Sequence, residues 1–157
     1  MYWYVEDNVN LTKRLKANLG LHLGYYSLDK MNMHPRVSAR SLLDENWSIK
    51  LSYAAMRQNI HLLSNSSVGF PSDIWVPAID SVPSQTSKQV AANITTQIYQ
   101  GQFELSLEGY YKRMDNLIAY KAGYSNLEST ESWDNAIETG GQGESYGVEL
   151  FLQKKTG

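Results

Sequence analysis

The amino-acid sequence predicts an all-β fold, an antiparallel up-and-down meander of about seven strands. Three observations carry that expectation. First, Leu15, Ala17, Leu19, Leu21, Leu23 and Tyr25 alternate without a break with Lys16, Asn18, Gly20, His22 and Gly24. That is the period of a strand with one apolar face and one polar face. The pattern returns further along the chain, and no stretch of comparable length carries helical periodicity. Second, short and long connections alternate strictly between the strands. Third, aromatic residues gather at the expected strand ends.

The first strand spans about Tyr2 to Val9, with either face available to the core. The second is Leu15 to Tyr26 and the third Arg36 to Leu42. The fourth begins at Trp47 and sets Trp47, Ile49, Leu51, Tyr53 and Ala55 against Ser48, Lys50, Ser52 and Ala54. The fifth places Val90, Ala92, Ile94, Thr96 and Ile98 opposite Gln89, Ala91, Asn93, Thr95, Gln97 and Tyr99. The sixth sets Phe103, Leu105, Leu107, Gly109 and Tyr111 against Glu104, Ser106, Glu108, Tyr110 and Lys112, with room to continue to Tyr120. The seventh alternates Tyr146, Val148, Leu150 and Leu152 with Gly147, Glu149, Phe151 and Gln153.

Tight turns are expected near Asn10 to Arg14, Asp44 to Asn46, Gln100 to Gln102 and Lys155 to Gly157. Longer connections are expected at Leu28 to His34, Asn65 to Ser87 and Lys121 to Gly143. In a meander this alternation puts all short turns at one end and all long loops at the other, as in outer-membrane barrels. Trp47, Tyr99 and Phe103 flank the short turns, while Tyr25, Tyr26, Tyr120 and Tyr146 sit toward the long loops. Two aromatic belts around an apolar band suit a bilayer interface. A tilted strand of about nine to eleven residues also suffices to cross a bilayer.

Composition bounds the alternatives. The 157 residues fit one domain, and a net charge of -2 argues against a nucleic-acid binder. The absence of cysteine excludes disulfides, thiolate nucleophiles and cysteine metal sites. No run of about 20 apolar residues offers a membrane helix. The opening Met1 to Asp7 lacks the basic and apolar regions of a signal peptide, so an exported precursor is expected to carry more sequence upstream.

Lys16, Lys50, Glu104, Glu108, Lys112 and Glu149 fall on the polar face, too hydrophilic for a small filled core and better suited to a wet lumen. Seven strands also depart from the even counts, from about 8 upward, of single-chain bacterial barrels. The expectation is an internal segment of a larger barrel. Pro35 to Arg40, Trp47 to Ser64, Trp75 to Pro77, Glu108 to Lys112 with Asn116 to Tyr120, and Gly141 to Glu149 form an ordered set along nearly the whole chain. This set resembles TonB-dependent outer-membrane receptors, particularly those of Bacteroidetes. The resemblance implies part of a transporter barrel of about 22 strands, covering residues 1–157, without plug, signal peptide or terminal strand. It further implies active uptake of a scarce nutrient (an iron chelate, cobalamin or glycan) across the bacterial outer membrane. The implied partners are membrane lipid, the plug and remaining strands, the TonB complex acting through the plug, and a small ligand.

Candidate ligand contacts are Phe70, Asp73 and Trp75 in one long connection and Tyr124 and Trp133, beside Asp134, in the other. Exposed aromatic loops suit ligand capture, although Trp75 and Pro77 would equally pack their loop against a rim. Candidate lumen residues are Lys16, His22, Arg36, Arg40, Lys50, Glu104, Glu108 and Glu149. Arg36, Arg40 and Arg57 could present a basic wall to an anionic ligand. Glu104 and Glu108 lie four strand residues apart, about 13 Å, beyond the roughly 5 to 9.5 Å of glycosidase pairs. They read as lumen lining, as does Glu149. His22, His34 and His61 lack ligand spacing, so no metal is expected. Tyr146 stands where a GxGxxG reading from Gly141 needs its last glycine, which leaves Gly140 to Gly143 as a loop base. No cofactor and no catalysis are expected, since no nucleophile, base and orienting group occur together. The alternative reading is a soluble β-sandwich that binds carbohydrate.

Overall fold

A computed structural model describes residues 1–26, 30–65, 72–122 and 132–155. Its strands are β1 (Tyr2–Asn10), β2 (Leu15–Tyr26), β3 (Lys30–Leu42), β4 (Trp47–Gln58), β5 (Ile60–Asn65), β6 (Ser72–Pro77), β7 (Gln85–Ile98), β8 (Phe103–Tyr120) and β9 (Ile137–Lys154). Seven of them form one sheet in the order β1-β2-β3-β4-β7-β8-β9, and β5 and β6 form a separate hairpin. The described residues contain no helix. The all-β meander is as expected.

By contacts the chain comprises two compact units, Met1–Met56 with Lys88–Lys112 and Glu144–Gly157, and Arg57–Ser87 with Arg113–Gly143. In the first, register fixes the faces. Leu15 to Tyr25 keep the expected facing, since Leu19 pairs with Val37 and Asp7, and Asn18 with Ser38 and Asn8. The first strand, ambiguous in sequence, turns Tyr2, Tyr4, Glu6 and Asn8 to the polar side and Trp3, Val5 and Val9 to the apolar side. A close approach explains Gly24: a Cβ there would lie 2.9 Å from the Tyr2 ring and 2.5 Å from Asn32 Oδ1.

The short turns are built by local chemistry. Thr12 Oγ1 accepts from the Leu15 amide at 2.9 Å, and Asp44 Oδ1 accepts from the Asn46 and Trp47 amides at 2.7 and 2.8 Å, the usual work of such residues in turns. At the third, Tyr99, Gln100 and Gly101 have φ of 51°, 56° and 83°. Tyr99, expected in a strand, therefore belongs to the turn, and its ring meets Phe103 edge-on at 5.8 Å.

Apolar side chains in this unit stay exposed on one face, among them Met31, Met33, Val37, Leu51, Val90, Val148 and Leu150. Every buried hydrophobic among the described residues (Leu63, Val76, Ala78, Val82, Ala136 and Ile137) lies in the second unit. A sandwich would bury one face of each sheet, so the sandwich alternative loses its main physical requirement.

Three connections differ from expectation. The expected Leu28 to His34 link is mostly strand, because Met31 and Met33 continue the alternation through Pro35. Pairing with β4 starts at Arg36, so Pro35 sits on a stretch paired on one side only, where its missing N–H is tolerated. The expected Asn65 to Ser87 loop contains part of β5, all of β6, the start of β7 and an Ile79–Val82 bridge. The third gives up its last seven residues to β9, placing Tyr146 inside a strand rather than at its end.

The glycine run Gly140 to Gly143 is strand, not loop base. Gly140 has φ +78°, and a Cβ on Gly141 would sit 3.0 Å from the Leu117 carbonyl oxygen. The run lets β9 approach β8 where Asn116 is itself left-handed, φ 60°. Asn116 Nδ2 donates to the Ser84 carbonyl at 3.1 Å. In the same unit, Leu63, Val76, Val82 and Ile137 form a core with Ile79, Ile118, Tyr120 and Trp133 packed against it.

Candidate functional site

The polar face of β1 to β3 gathers rings, a guanidinium and a carboxylate. Antiparallel register places Tyr4 opposite His22, and His22 opposite His34. Tyr2 stacks on His22 with centroids 5.2 Å apart and planes 14° apart, and the His22 and His34 rings lie 5.9 Å apart. Asn32 Oδ1 meets His34 Nε2 at 2.8 Å. The Tyr4 hydroxyl donates to Glu6 at 2.5 Å, Asn18 donates to the other Glu6 oxygen, and also to Asn8 at 2.8 Å. Tyr4, His22 and Arg36 line a hollow of about 410 Å³. Arg36 supplies a planar fork of donors suited to carboxylate or phosphate oxygens, and the neighbouring rings offer flat surfaces to a planar group.

Nearer the short turns, Lys16 pairs with Arg40 and Arg40 with Lys50, three cations in one cross-strand row. Arg40 donates to Ser48 at 3.2 Å. Like charges directly opposite are unfavourable in a sheet, so this row attracts anions. A hollow of about 360 Å³ lies beside it, between Asn8, Asn18, Lys16 and Arg40.

The polar face of β7 and β8 is held differently. Asn93 donates to Ser106 at 2.8 Å and to Glu108 at 3.5 Å. Glu104 forms an ion pair with Lys155. Glu149 is exposed on β9. The expected lumen residues thus share polar faces, but the structure groups His22 with Arg36, and Lys16 with Arg40 and Lys50, and leaves Glu149 apart.

In the second unit, the β5–β6 hairpin has two distinct faces. Leu62 pairs with Trp75 and Ser64 with Asp73 on the outer side, where Trp75 is 65% exposed. His61 pairs with Val76 on the inner side. His61 is 2% exposed and its Nε2 has no hydrogen-bond partner. Burial pushes its imidazole below the ordinary value of 6.5, opposed by a hydrogen bond to the Pro83 backbone. Trp133 is half-buried against the hydrophobic cluster, and Asp134 Oδ1 is buried. Phe70 and Tyr124 lie outside the described residues.

Tyr2, Tyr4 and Glu6 were missing from the expected site. Aromatics on both faces of β1, and Asp7 on its apolar one, obscured the alternation. Lys155 was missed because its partner lies 51 residues away. No group of three or more metal-ligating side chains occurs among the described residues.

Comparison with known proteins adds three findings. The family described as TonB dependent receptor-like, beta-barrel matches residues 1–154. The fold is similar to the siderophore receptor PirA of Pseudomonas aeruginosa, with TM-score 0.71 and 18% identity over 95% of this chain and 30% of that one. It is also similar to the alcaligin outer-membrane receptor FauA of Bordetella pertussis, with TM-score 0.65 and 16% identity over 98% of this chain and 26% of that one. The chain therefore spans less than a third of the length of either. No curated relative matches it significantly.

Proposed function

Because the chain belongs to the TonB-dependent receptor-like β-barrel family, whose barrels lie in the bacterial outer membrane, we propose that it forms part of the wall of a receptor for active nutrient uptake. The observation that carries this reading is the two-faced sheet without a core of its own. Apolar side chains stay exposed on one side while Arg36, His22, Lys16, Arg40 and Lys50 share the other. Such a sheet suits lipid on one side and water on the other.

The proposed ligand is an iron chelate in preference to cobalamin or a glycan. Support comes from the two similar structures, one named a siderophore receptor and the other an alcaligin outer-membrane receptor, and from the guanidinium and stacked rings beside the Tyr4–His22–Arg36 hollow. The polar face lines the path, and the exposed Trp75 face of the β5–β6 hairpin contributes to capture. The plug and remaining strands complete the barrel, and the plug passes the pull of the TonB complex. No step of bond-making chemistry is assigned to the chain.

The test is growth of cells carrying the full-length receptor on ferric chelates under iron limitation. Arg36→Ala and His22→Ala together should abolish or strongly reduce uptake with surface expression unchanged. Undiminished uptake by that double variant would overturn the assignment of this wall to the ligand path.

A further inference from the structure

The apolar face of the first unit is not evenly covered by side chains. A groove of about 860 Å³ opens on it, with Ala92 of β7 and Gly109 of β8 as its floor. Leu51 of β4 stands on one side, and Tyr146 and Val148 of β9 on the other, with Tyr111 at one end. A second hollow of about 360 Å³ shares Ala92, Gly109 and Val148 and extends toward Ile94 and Leu107.

Crowding within the chain does not account for glycine at position 109. A Cβ built there meets nothing nearer than the Gly147 carbonyl oxygen at 3.9 Å, and Gly109 is absent from the residues with positive φ. An alanine or leucine would fit the backbone. What glycine provides is depth on a surface that faces outward.

We propose that this groove binds one acyl chain of an outer-membrane lipid. The proposal rests on the family's membrane placement of this face. Three features name the occupant. The groove is continuous with the exposed Val90, Leu107 and Leu150 surface, which hydrocarbon covers in a bilayer. Its walls are mainly aliphatic and aromatic, with Ser52 and Asn93 as the neutral polar residues beside the tyrosines and no cation or carboxylate among them. From Leu107 to Tyr111 it runs four strand residues, about 13 Å, enough for a stretch of extended chain. At the Tyr111 end the phenol donates to Glu144 Oε1 at 2.8 Å, so the carboxylate lies where a headgroup with hydroxyl or ammonium donors can bond it. Selectivity over bulk lipid comes from van der Waals packing alone, because hydrocarbon on either side is equally apolar.

The experiment uses the full-length receptor folded into phosphatidylethanolamine vesicles, extracted in mild detergent and weighed by native mass spectrometry. One phospholipid should stay with each wild-type barrel. Gly109→Leu should lower that occupancy on the order of fivefold, since a filled floor removes the contacts of about one chain segment. Ala92→Leu fills the same floor from the neighbouring strand and serves if the first variant does not fold. Heat-modifiable migration on gels reports folding separately. Unchanged lipid retention in a folded filled variant would overturn the groove while leaving the membrane placement intact. So would a retained mass equal to a second receptor copy. A wild-type receptor that fails to insert into the vesicles would instead overturn the membrane placement itself.

Discussion

The two faces of β3 can be separated by adjacent substitutions. Val37 lies near the middle of β3 on the apolar side, 41% exposed, between Leu19 and Tyr53 in register. Its neighbour Ser38 lies on the polar side between Asn18 and Ser52. An arginine facing lipid near the bilayer midplane costs about 2 to 4 kcal/mol, which is roughly a 30- to 700-fold shift in the folding equilibrium. The same side chain on a wet face costs at most about 0.5 kcal/mol, the usual range for surface changes. Ser38→Arg adds some repulsion from nearby Arg40, which salt screens. Full-length Val37→Arg and Ser38→Arg receptors would be folded into vesicles across a urea series, with the folded fraction read by heat-modifiable migration. Val37→Arg should lose stability by the larger amount and Ser38→Arg by little. Equal midpoints would refute the assignment of faces, because a sheet wetted on both sides accepts arginine at 37 as readily as at 38.

The remaining predictions concern the loops and the polar face. His61 is buried with its pKa lowered, so the unfolded hairpin binds more protons than the folded one just below pH 6.5. Its contribution is fully present above that value and fades as pH falls through the window; the protection of the β5–β6 amides from hydrogen exchange, taken relative to the intrinsic exchange rate at each pH, should fall from pH 7.5 to 5.5, and protection that does not change with pH would contradict it. Leu63→Ala, at 1% exposure, should destabilise the hairpin core by about 2 to 5 kcal/mol, as read by local exchange. Trp75→Ala should change stability by less than about 0.5 kcal/mol while weakening ligand capture in a binding titration. Lys50→Glu places a carboxylate opposite Arg40 and should stabilise the barrel by about 0.2 to 1 kcal/mol, an effect that fades in high salt. Gln100→Gly relieves a left-handed glutamine (φ 56°) and should raise stability by on the order of 1 kcal/mol, read from the same urea midpoints.

What the sequence discloses depends on which surroundings set the pattern. In β2 the leucine face and the Lys16 to Gly24 face were legible because each meets one medium along its whole length. The same holds for Val90 to Ile98 and for Phe103 to Lys112. Reading failed where a neighbour decided the matter. The third strand was expected to begin only at Arg36, until the pairing showed β3 running through Pro35 and joined only to β2 at that point. Gly140 to Gly143 looked like a loop base until the close approach of Leu117 of β8 showed why Gly141 and Gly143 carry no side chain. Tyr2 and Tyr4 gave no facing because Trp3 is just as aromatic. Hydropathy cannot rank one ring against another.

The division of buried side chains follows from the same distinction. A segment wetted on all sides must build its own core, and Leu63, Val76, Val82 and Ile137 do so with the half-buried Trp133 and Ile118. Their partners come from β5, β6, the Ile79–Val82 bridge and β9, far apart in sequence. No short window could announce that assembly, which is why the sequence showed only long connections with aromatic residues there. A sheet between lipid and water needs no such core. Its apolar residues are satisfied by solvent rather than by partners, and local alternation is then sufficient. Substitutions should therefore act differently in the two units. Truncating Leu63 removes contacts that nothing replaces, whereas truncating Val37 to Ala exchanges side-chain contacts for lipid contacts. The second change should cost well under the first, although both delete buried hydrocarbon when the barrel sits in its membrane.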